Sequence, residues 1–431
     1  MPPSISAGPG GPDPTLRSGP WRVAVLSGVG LLVACGGPEP DLDPRGAVEV
    51  ATEVSACTPT VPAEGLRVDT LASGLTVPWD VAFLPGGRAL VTERPGRIRE
   101  VDPAGRLVDE PWAELDVYSV DEVGLMGIDA APDGRSVYVS ATVRSASGGL
   151  AGFFGRVGRR VQRALDPEKG HPTTLQVVRI PVLADGRAGQ AEVVVEGLPS
   201  FLLHGGGALR FGPDGALYVT NGDGAEHVTA QRPDSRRGKI LRYDEDGRAA
   251  AGNPTPGSPV WALGIRHVQG LAWDPVTGAM VAIDHGPTSM PTENGRRDRD
   301  ELNVVEAGAN FGWPIVTGVT EGGPWTSASM QWTPAIAPAG LALMDGVGPW
   351  SGSAFVTGLR GTSLRRIEFD RTSGQPVPAC EETLLSTAYG RLRLVRPAPD
   401  GTLWVGTSNQ DGRGIPRDGG DLLLRMHPPT S

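Results

Sequence analysis

His204 and Asp223 are the residues of this chain whose types and spacing make a proton-transfer pair. The histidine opens a glycine run, His204-Gly205-Gly206-Gly207, and the aspartate lies one strand and one turn later, in Asn221-Gly222-Asp223-Gly224. An imidazole oriented by an aspartate is the minimal general base at neutral pH. The glycines leave room for backbone or ligand close to the ring. Three other stretches set charge or carbonyls in unusual places. Arg266 and His267 stand together in Gly264-Ile265-Arg266-His267-Val268, and Asp284-His285-Gly286-Pro287 follows the next strand. Arg391 and Arg393 share one face of a strand, because alternate strand residues point the same way. With Arg360 these arginines outline a pocket for a polycarboxylate or a phosphate, since gathered cations repel unless an anion lies among them. The plainer alternative is that each arginine pairs with a carboxylate of its own neighbourhood.

These residues are far apart in sequence, so some repeating scaffold must gather them. One unit recurs six times: a turn rich in proline, aspartate and glycine, then a short strand of alternating apolar and polar residues. Its copies begin at Pro85-Gly86-Gly87, Pro132-Asp133-Gly134, Pro213-Asp214-Gly215, Asp274-Pro275-Val276-Thr277-Gly278, Pro349-Trp350-Ser351-Gly352 and Pro399-Asp400-Gly401. Proline presets φ and glycine supplies φ > 0, which makes such stretches turns. Further strands lie between copies, at 96–101, 176–180 and 239–243. Repeats of about 40 to 50 residues with several strands each predict an all-β, six-bladed β-propeller. Residues 66–71 are placed to pair with residues 421–426 and close the ring. A pair of β-sandwiches is the alternative architecture. Residues 153–165 differ in composition and read as a basic amphipathic helix, with Phe153, Val157, Val161 and Leu165 at helical spacing.

Composition limits the rest. Sixty-two glycines and 41 prolines in 431 residues predict many turns and few long helices. A net charge of -10 argues against nucleic acid as a partner. The amino terminus reads as processing: Arg17 and Arg22 precede an apolar run, 23–34, too short to span a bilayer comfortably. Leu32-Val33-Ala34-Cys35 resembles a bacterial lipobox, which implies cleavage before Cys35, its lipidation, and a membrane association made only through that anchor. An ordinary secretory signal is the alternative. Residues 1–35 are thus expected to be a lipoprotein signal peptide, 36–64 a flexible tether and 65–431 the propeller. The expected location is the cell envelope, periplasmic or outer-membrane in a Gram-negative cell. Cys57 and Cys380 remain, compatible with one disulfide or with two separate buried thiols.

The ordered motifs resemble those of the pyrroloquinoline-quinone (PQQ)-dependent glucose/sorbosone dehydrogenase family, in a layout like the soluble aldose sugar dehydrogenases. The resemblance runs from about residue 66 to 426. It rests on Gly74-Leu75-Thr76-Val77-Pro78-Trp79-Asp80, Thr92-Glu93-Arg94-Pro95-Gly96-Arg97, the stretch from His204 to Gly224, Arg266, His285-Gly286-Pro287, Asp300-Glu301-Leu302-Asn303, Asn310-Phe311-Gly312-Trp313-Pro314 and Gly390-Arg391-Leu392-Arg393. It implies a six-bladed propeller with PQQ over the channel mouth and a sugar as substrate. His204 would be the base and Asp223 the carboxylate orienting it. Arg391, Arg393 and Arg266 would bind the quinone. The Gly286 and Pro287 carbonyls would hold a calcium ion, which prefers oxygen donors. Three positions beside the cofactor depart from the best-known glucose enzymes: His267 replaces asparagine, Arg360 replaces lysine and Glu122 replaces glutamine. These departures bear on sugar specificity and on quinone affinity. The electron acceptor is not legible. A calcium-dependent, lactonase-like propeller hydrolase and a noncatalytic binding propeller are the competing functions.

Overall fold

The structure, a computed structural model, describes residues 46–49, 54–58, 66–145, 173–288, 293, 298–346 and 348–429. The proposed signal peptide with Cys35, most of the tether, and the 153–165 segment lie outside the described residues.

Six antiparallel sheets follow one another along the chain. Their first strands are Pro78–Phe83, Leu125–Ala130, Leu209–Phe211, Val268–Trp273, Pro338–Leu343 and Leu392–Pro397. Each of these packs on the first strands of both neighbouring sheets, and the circuit closes from the sixth back to the first. This is a six-bladed propeller, with no α-helix among the described residues. The ring is closed as the sequence predicts. Val68–Leu75 becomes the outer strand of blade 6, paired with Asp421–Met426, so the two ends of the propeller share one sheet.

The recurrent turn-and-strand unit forms the first hairpin of every blade, and its strand is the second strand. Alternation in these second strands does not mark a wet face, because neighbouring blades cover both sides and all five residues are buried in Ala89–Glu93, Leu217–Asn221, Ala354–Gly358 and Leu403–Thr407. The polar members are used across the blade interface instead. Thr92 donates to the Met126 carbonyl (2.6 Å), Ser140 to Gly207 (2.5 Å), Thr220 to Val268 (2.8 Å) and Thr357 to Arg393 (2.7 Å). Each hydroxyl reaches the next blade's inner region. An unpaired buried hydroxyl would cost about 1–3 kcal/mol, so the repeated bond explains how a polar residue is tolerated there.

Cys57 and Cys380 form a disulfide across 323 residues of sequence. Beside it Ser55–Ala56 pairs in parallel with Cys380 and Glu381, adding a fifth strand to blade 5. Val48–Glu49 pairs with Thr320–Glu321 in the loop before the last strand of blade 4.

Strand polarity decides where function can gather. With antiparallel strands, the link from one blade to the next and the loop between strands two and three fall at the same end of the ring. The turns of the first hairpins fall at the other. Glu122, His204, Arg266, His267, Arg391 and Arg393 are on or next to blade-to-blade links; Asp223, Gly286, Pro287 and Arg360 are on two-three loops. All ten therefore belong to one end.

Candidate active site

His204 lies in the link between blades 2 and 3 with φ of 54°, a left-handed conformation that side chains other than glycine and asparagine seldom adopt. Its backbone N–H donates to Glu122 Oε2 (2.8 Å). Its carbonyl sits against Gly222, where any Cβ would collide with it. Gly206, with φ of 69°, faces the Thr220 carbonyl and the Gly222 amide, where an added Cβ would lie 2.7 Å from each. The glycines thus admit the neighbouring strand of the same blade, which is what presses His204 toward Asp223.

Asp223 is fully buried, and its Oδ1 is 2.8 Å from His204 Nδ1. Three further donors complete it. Ala225 N–H reaches Oδ1 (2.8 Å), while His227 Nδ1 (2.5 Å) and Trp313 Nε1 (2.8 Å) reach Oδ2. Burial opposes ionisation, but the charge of His204 and the bonds from both imidazoles outweigh it and hold Asp223 well below the usual carboxylate range. An ionised carboxylate only accepts, so the ring nitrogens facing it carry hydrogen, and in the uncharged form of the His204 ring the lone pair falls on Nε2. The donor atoms of His204, Asp223 and His227 lie within 4.8 Å of one another, a grouping open to a metal. An ion bonded to both partners would hold nitrogen and oxygen about 3 Å apart or more, so these shorter contacts are hydrogen bonds.

His267 follows the link between blades 3 and 4, its ring centroid 5.6 Å from that of His204. Its Nδ1 accepts from Gly206 N–H (3.2 Å). Burial first, then the charges of His204 and Arg266, push its pKa well below the histidine range, so it stays neutral beside the pair. Gln269 lies between it and Arg393, with its carboxamide nitrogen 2.5 Å from His267 Nε2 and its oxygen accepting from Arg393 Nη1 (3.1 Å).

The arginines do converge on this end, yet mostly in company. Arg266 donates to Glu293 Oε1 (2.9 Å from Nε) and to the His285 carbonyl (3.1 Å). Arg391 holds Asp411 through Nε and Nη2, both at 2.8 Å. Arg360 is exposed and donates to Asp298 (2.9 Å), whose own N–H donates to the Pro287 carbonyl (2.9 Å). Glu122 is compensated: Arg413 donates to its Oε1 (2.5 Å) and also binds Asp121 (2.7 Å). Arg393 is the exception. Its nearest carboxylate, Asp411, is 3.8 Å away, and burial lowers its pKa to about 10. Among the described residues Arg94 donates to two carbonyls, those of Asp121 and Asp411. Around the mouth, Arg94, Arg391, Arg393 and Arg413 thus face Asp121, Glu122 and Asp411, four guanidiniums against three carboxylates. A buried His285 Nε2 has no partner among the described residues. An unmatched cation and an orphaned ring nitrogen fit an anionic, polar cofactor, which PQQ is. The Gly286 N–H donates to Asp300 (2.9 Å).

Sequence reasoning named the pair and the arginines but not their partners. His227 had a signal, an imidazole four residues after Asp223. Trp313 arrives on the long loop before the last strand of blade 4, where Phe311 N–H and Trp313 N–H donate to the Leu263 and Gly264 carbonyls; nothing in its spacing announces that. The acids of blade 4, Asp284, Asp300 and Glu301, stand in the motifs the sequence offers, but their burial was not foreseen. Asp284 is raised by burial and by the charge of Glu301, and Asp300 is raised to about 6 by burial.

A six-bladed ring with a buried imidazole-carboxylate pair and a buried, loosely paired guanidinium at one end defines a propeller enzyme that handles protons beside an anion. The comparisons with known proteins narrow this. The glucose/sorbosone dehydrogenase family model matches residues 75–424, and the chain belongs to that family of sugar dehydrogenases, which are oxidoreductases. It is similar to a glucose dehydrogenase-type oxidoreductase of Thermus thermophilus, with 39% identity, a TM-score of 0.72, and coverage of 84% of this chain and 100% of that one. The PQQ-bound aldose sugar dehydrogenase of Streptomyces coelicolor is 34% identical, with a TM-score of 0.69 over 85% of this chain and 99% of that one. The aldose sugar dehydrogenase of Escherichia coli is 27% identical over 80% of this chain and 91% of its own length.

Proposed function

We propose that this chain oxidises an aldose or a related sugar with PQQ and calcium, using His204 as general base, and that it works at the cell envelope on a lipid anchor at Cys35. The observation that carries the reading is the 2.8 Å contact between His204 Nδ1 and a fully buried Asp223, which in the uncharged imidazole puts the lone pair on Nε2. The Streptomyces relative binds PQQ and the E. coli relative is an aldose dehydrogenase, which supports the cofactor and the substrate class. The apolar run ending in Leu32-Val33-Ala34-Cys35 supports the anchor.

When bound, PQQ supplies an electrophilic carbonyl that accepts hydride from the sugar carbon, and calcium polarises that carbonyl. His204 Nε2 takes the hydroxyl proton as the sugar carbon gives up its hydride, so a C–O single bond becomes a carbonyl. Asp223 steadies the imidazolium that forms, at no cost of moving charge. Arg391 and Arg393, with Arg266, His267, Arg360 and Glu122 around them, would hold the quinone, and the carbonyls of Gly286 and Pro287 the ion.

The test is reconstitution of apo-protein with PQQ and calcium, then a screen of aldoses against an artificial dye acceptor. His204→Ala is expected to bind PQQ as the parent does and to lose about 10²- to 10⁴-fold in turnover, the usual contribution of a placed base. A variant that oxidises aldoses at the parent rate would refute the base. An unmodified Cys35 at the native amino terminus, read by mass spectrometry, would refute the anchor.

A further inference from the structure

We infer that His227 is a positioning residue for proton transfer: with Trp313 it holds the far oxygen of Asp223, so that one buried carboxylate is shared between two imidazoles and the basicity of His204 is set by that sharing. The inference rests on the reading of His204 as the base.

His227 opens the short 3-10 turn His227–Gln231, four residues after Asp223, and is 7% exposed. Its Nδ1 and the Trp313 indole nitrogen converge on Asp223 Oδ2, and the two rings meet edge to face with centroids 5.1 Å apart. The torsion that turns an aspartate carboxylate is soft. Donors on one oxygen alone would leave the plane free to swing, whereas donors on both oxygens fix it. The lone pair of His204 is aimed accordingly.

The charge argument runs the same way. His204 and His227 have ring centroids 6.3 Å apart and a single carboxylate between them. Every hydrogen bond made to Oδ2 withdraws negative charge from Oδ1, so His227 makes His204 a weaker base than it would be as the carboxylate's sole imidazole partner. Other charges are fixed in place. Arg237 donates to the Asp223 carbonyl (2.9 Å), Lys239 to the Thr229 and Ala230 carbonyls, and Arg266 lies 5.7 Å over the Trp313 ring. Glu122 holds the His204 amide, His267 stays neutral, and Glu226 precedes the turn.

The readout is ¹⁵N-histidine NMR of the apo-protein, which reports tautomer and titration without cofactor. In the parent, both His204 and His227 should carry their proton on Nδ1; a parent His227 protonated on Nε2 alone overturns the inference with no variant needed. His227→Leu should raise the His204 titration midpoint by about half to one unit. The acid limb of the kcat profile should move equally, with kcat down roughly tenfold and KM nearly unchanged. His227→Asn keeps a donor where Nδ1 was and should restore the parent values to within about twofold. A folded His227→Leu protein with the parent His204 midpoint and parent profile would sink the idea. Failure of the base reading looks different: His204→Ala would keep its turnover, while the NMR coupling of the two imidazoles could still be present.

Discussion

Arg393 is where the structure makes its sharpest quantitative demand. Its Nε donates to Ser408 Oγ and its Nη1 to Gln269 Oε1, both at 3.1 Å, but Nη2 stands 3.8 Å from Asp411, too far for a hydrogen bond. A buried guanidinium therefore keeps donors in reserve. Lowering of its pKa to about 10, chiefly by burial, corresponds to a charge penalty on the order of 3 kcal/mol in the folded apo-protein. Arg393→Met keeps a long apolar side chain and removes that penalty, together with the guanidinium carbon that lies 5.9 Å over the Trp79 ring. It also removes two neutral-acceptor bonds worth roughly 1 kcal/mol each. The apo-variant should then be as stable as the parent or slightly more so, while PQQ binding weakens by about 1.5–3 kcal/mol, the range for hydrogen bonds to charged groups. That is about 10- to 150-fold in Kd. Arg391→Met should lose less, because Arg391 is already committed to Asp411 and the Leu359 carbonyl. Titration of apo-protein with PQQ at saturating calcium gives Kd, and calorimetry gives stability. A variant that binds PQQ like the parent, or whose apo-form is several kcal/mol weaker, would refute the reasoning.

Gly222→Ala should cut turnover and lower stability, since its Cβ would strike the His204 carbonyl; activity at the parent level would show that His204 is not held by that contact. Asp223 has a folded pKa below its unfolded one, so its contribution to stability is complete above about pH 4 and is lost as the pH falls through the folded value. The stability difference between parent and Asp223→Asn, measured by urea unfolding from pH 7 to pH 2.5, should accordingly shrink below pH 4; a constant difference would argue against an ionised Asp223. Cys57→Ser should free the edge strand of blade 5 and lower stability by about 2–4 kcal/mol with turnover unchanged, since the disulfide lies at the outer edge of its blade. Loss of turnover in a folded Cys57→Ser protein would contradict that separation.

The repeat was legible because it is local. Pro213-Asp214-Gly215 turns through the torsions of its own residues, and Leu217–Asn221 alternates by strand geometry, whatever surrounds them. Six such units in one chain leave few architectures, and the polarity of their strands sends His204, Asp223 and the arginines to one end. The pairing of His204 with Asp223 was legible for a related reason: one hairpin excursion separates them, and it returns the chain to its start. Partnership across blades was not. Trp313 reaches Asp223 over 90 residues and Arg413 reaches Glu122 over 291 residues, each through contacts that exist only once separate blades have packed side by side. The choice between a disulfide and two free thiols was likewise decided by Ser55–Ala56 docking beside Cys380. Burial is the physical reason. A carboxylate or guanidinium has no preferred partner in an open chain, and it takes one only when folding removes the water that would otherwise satisfy it.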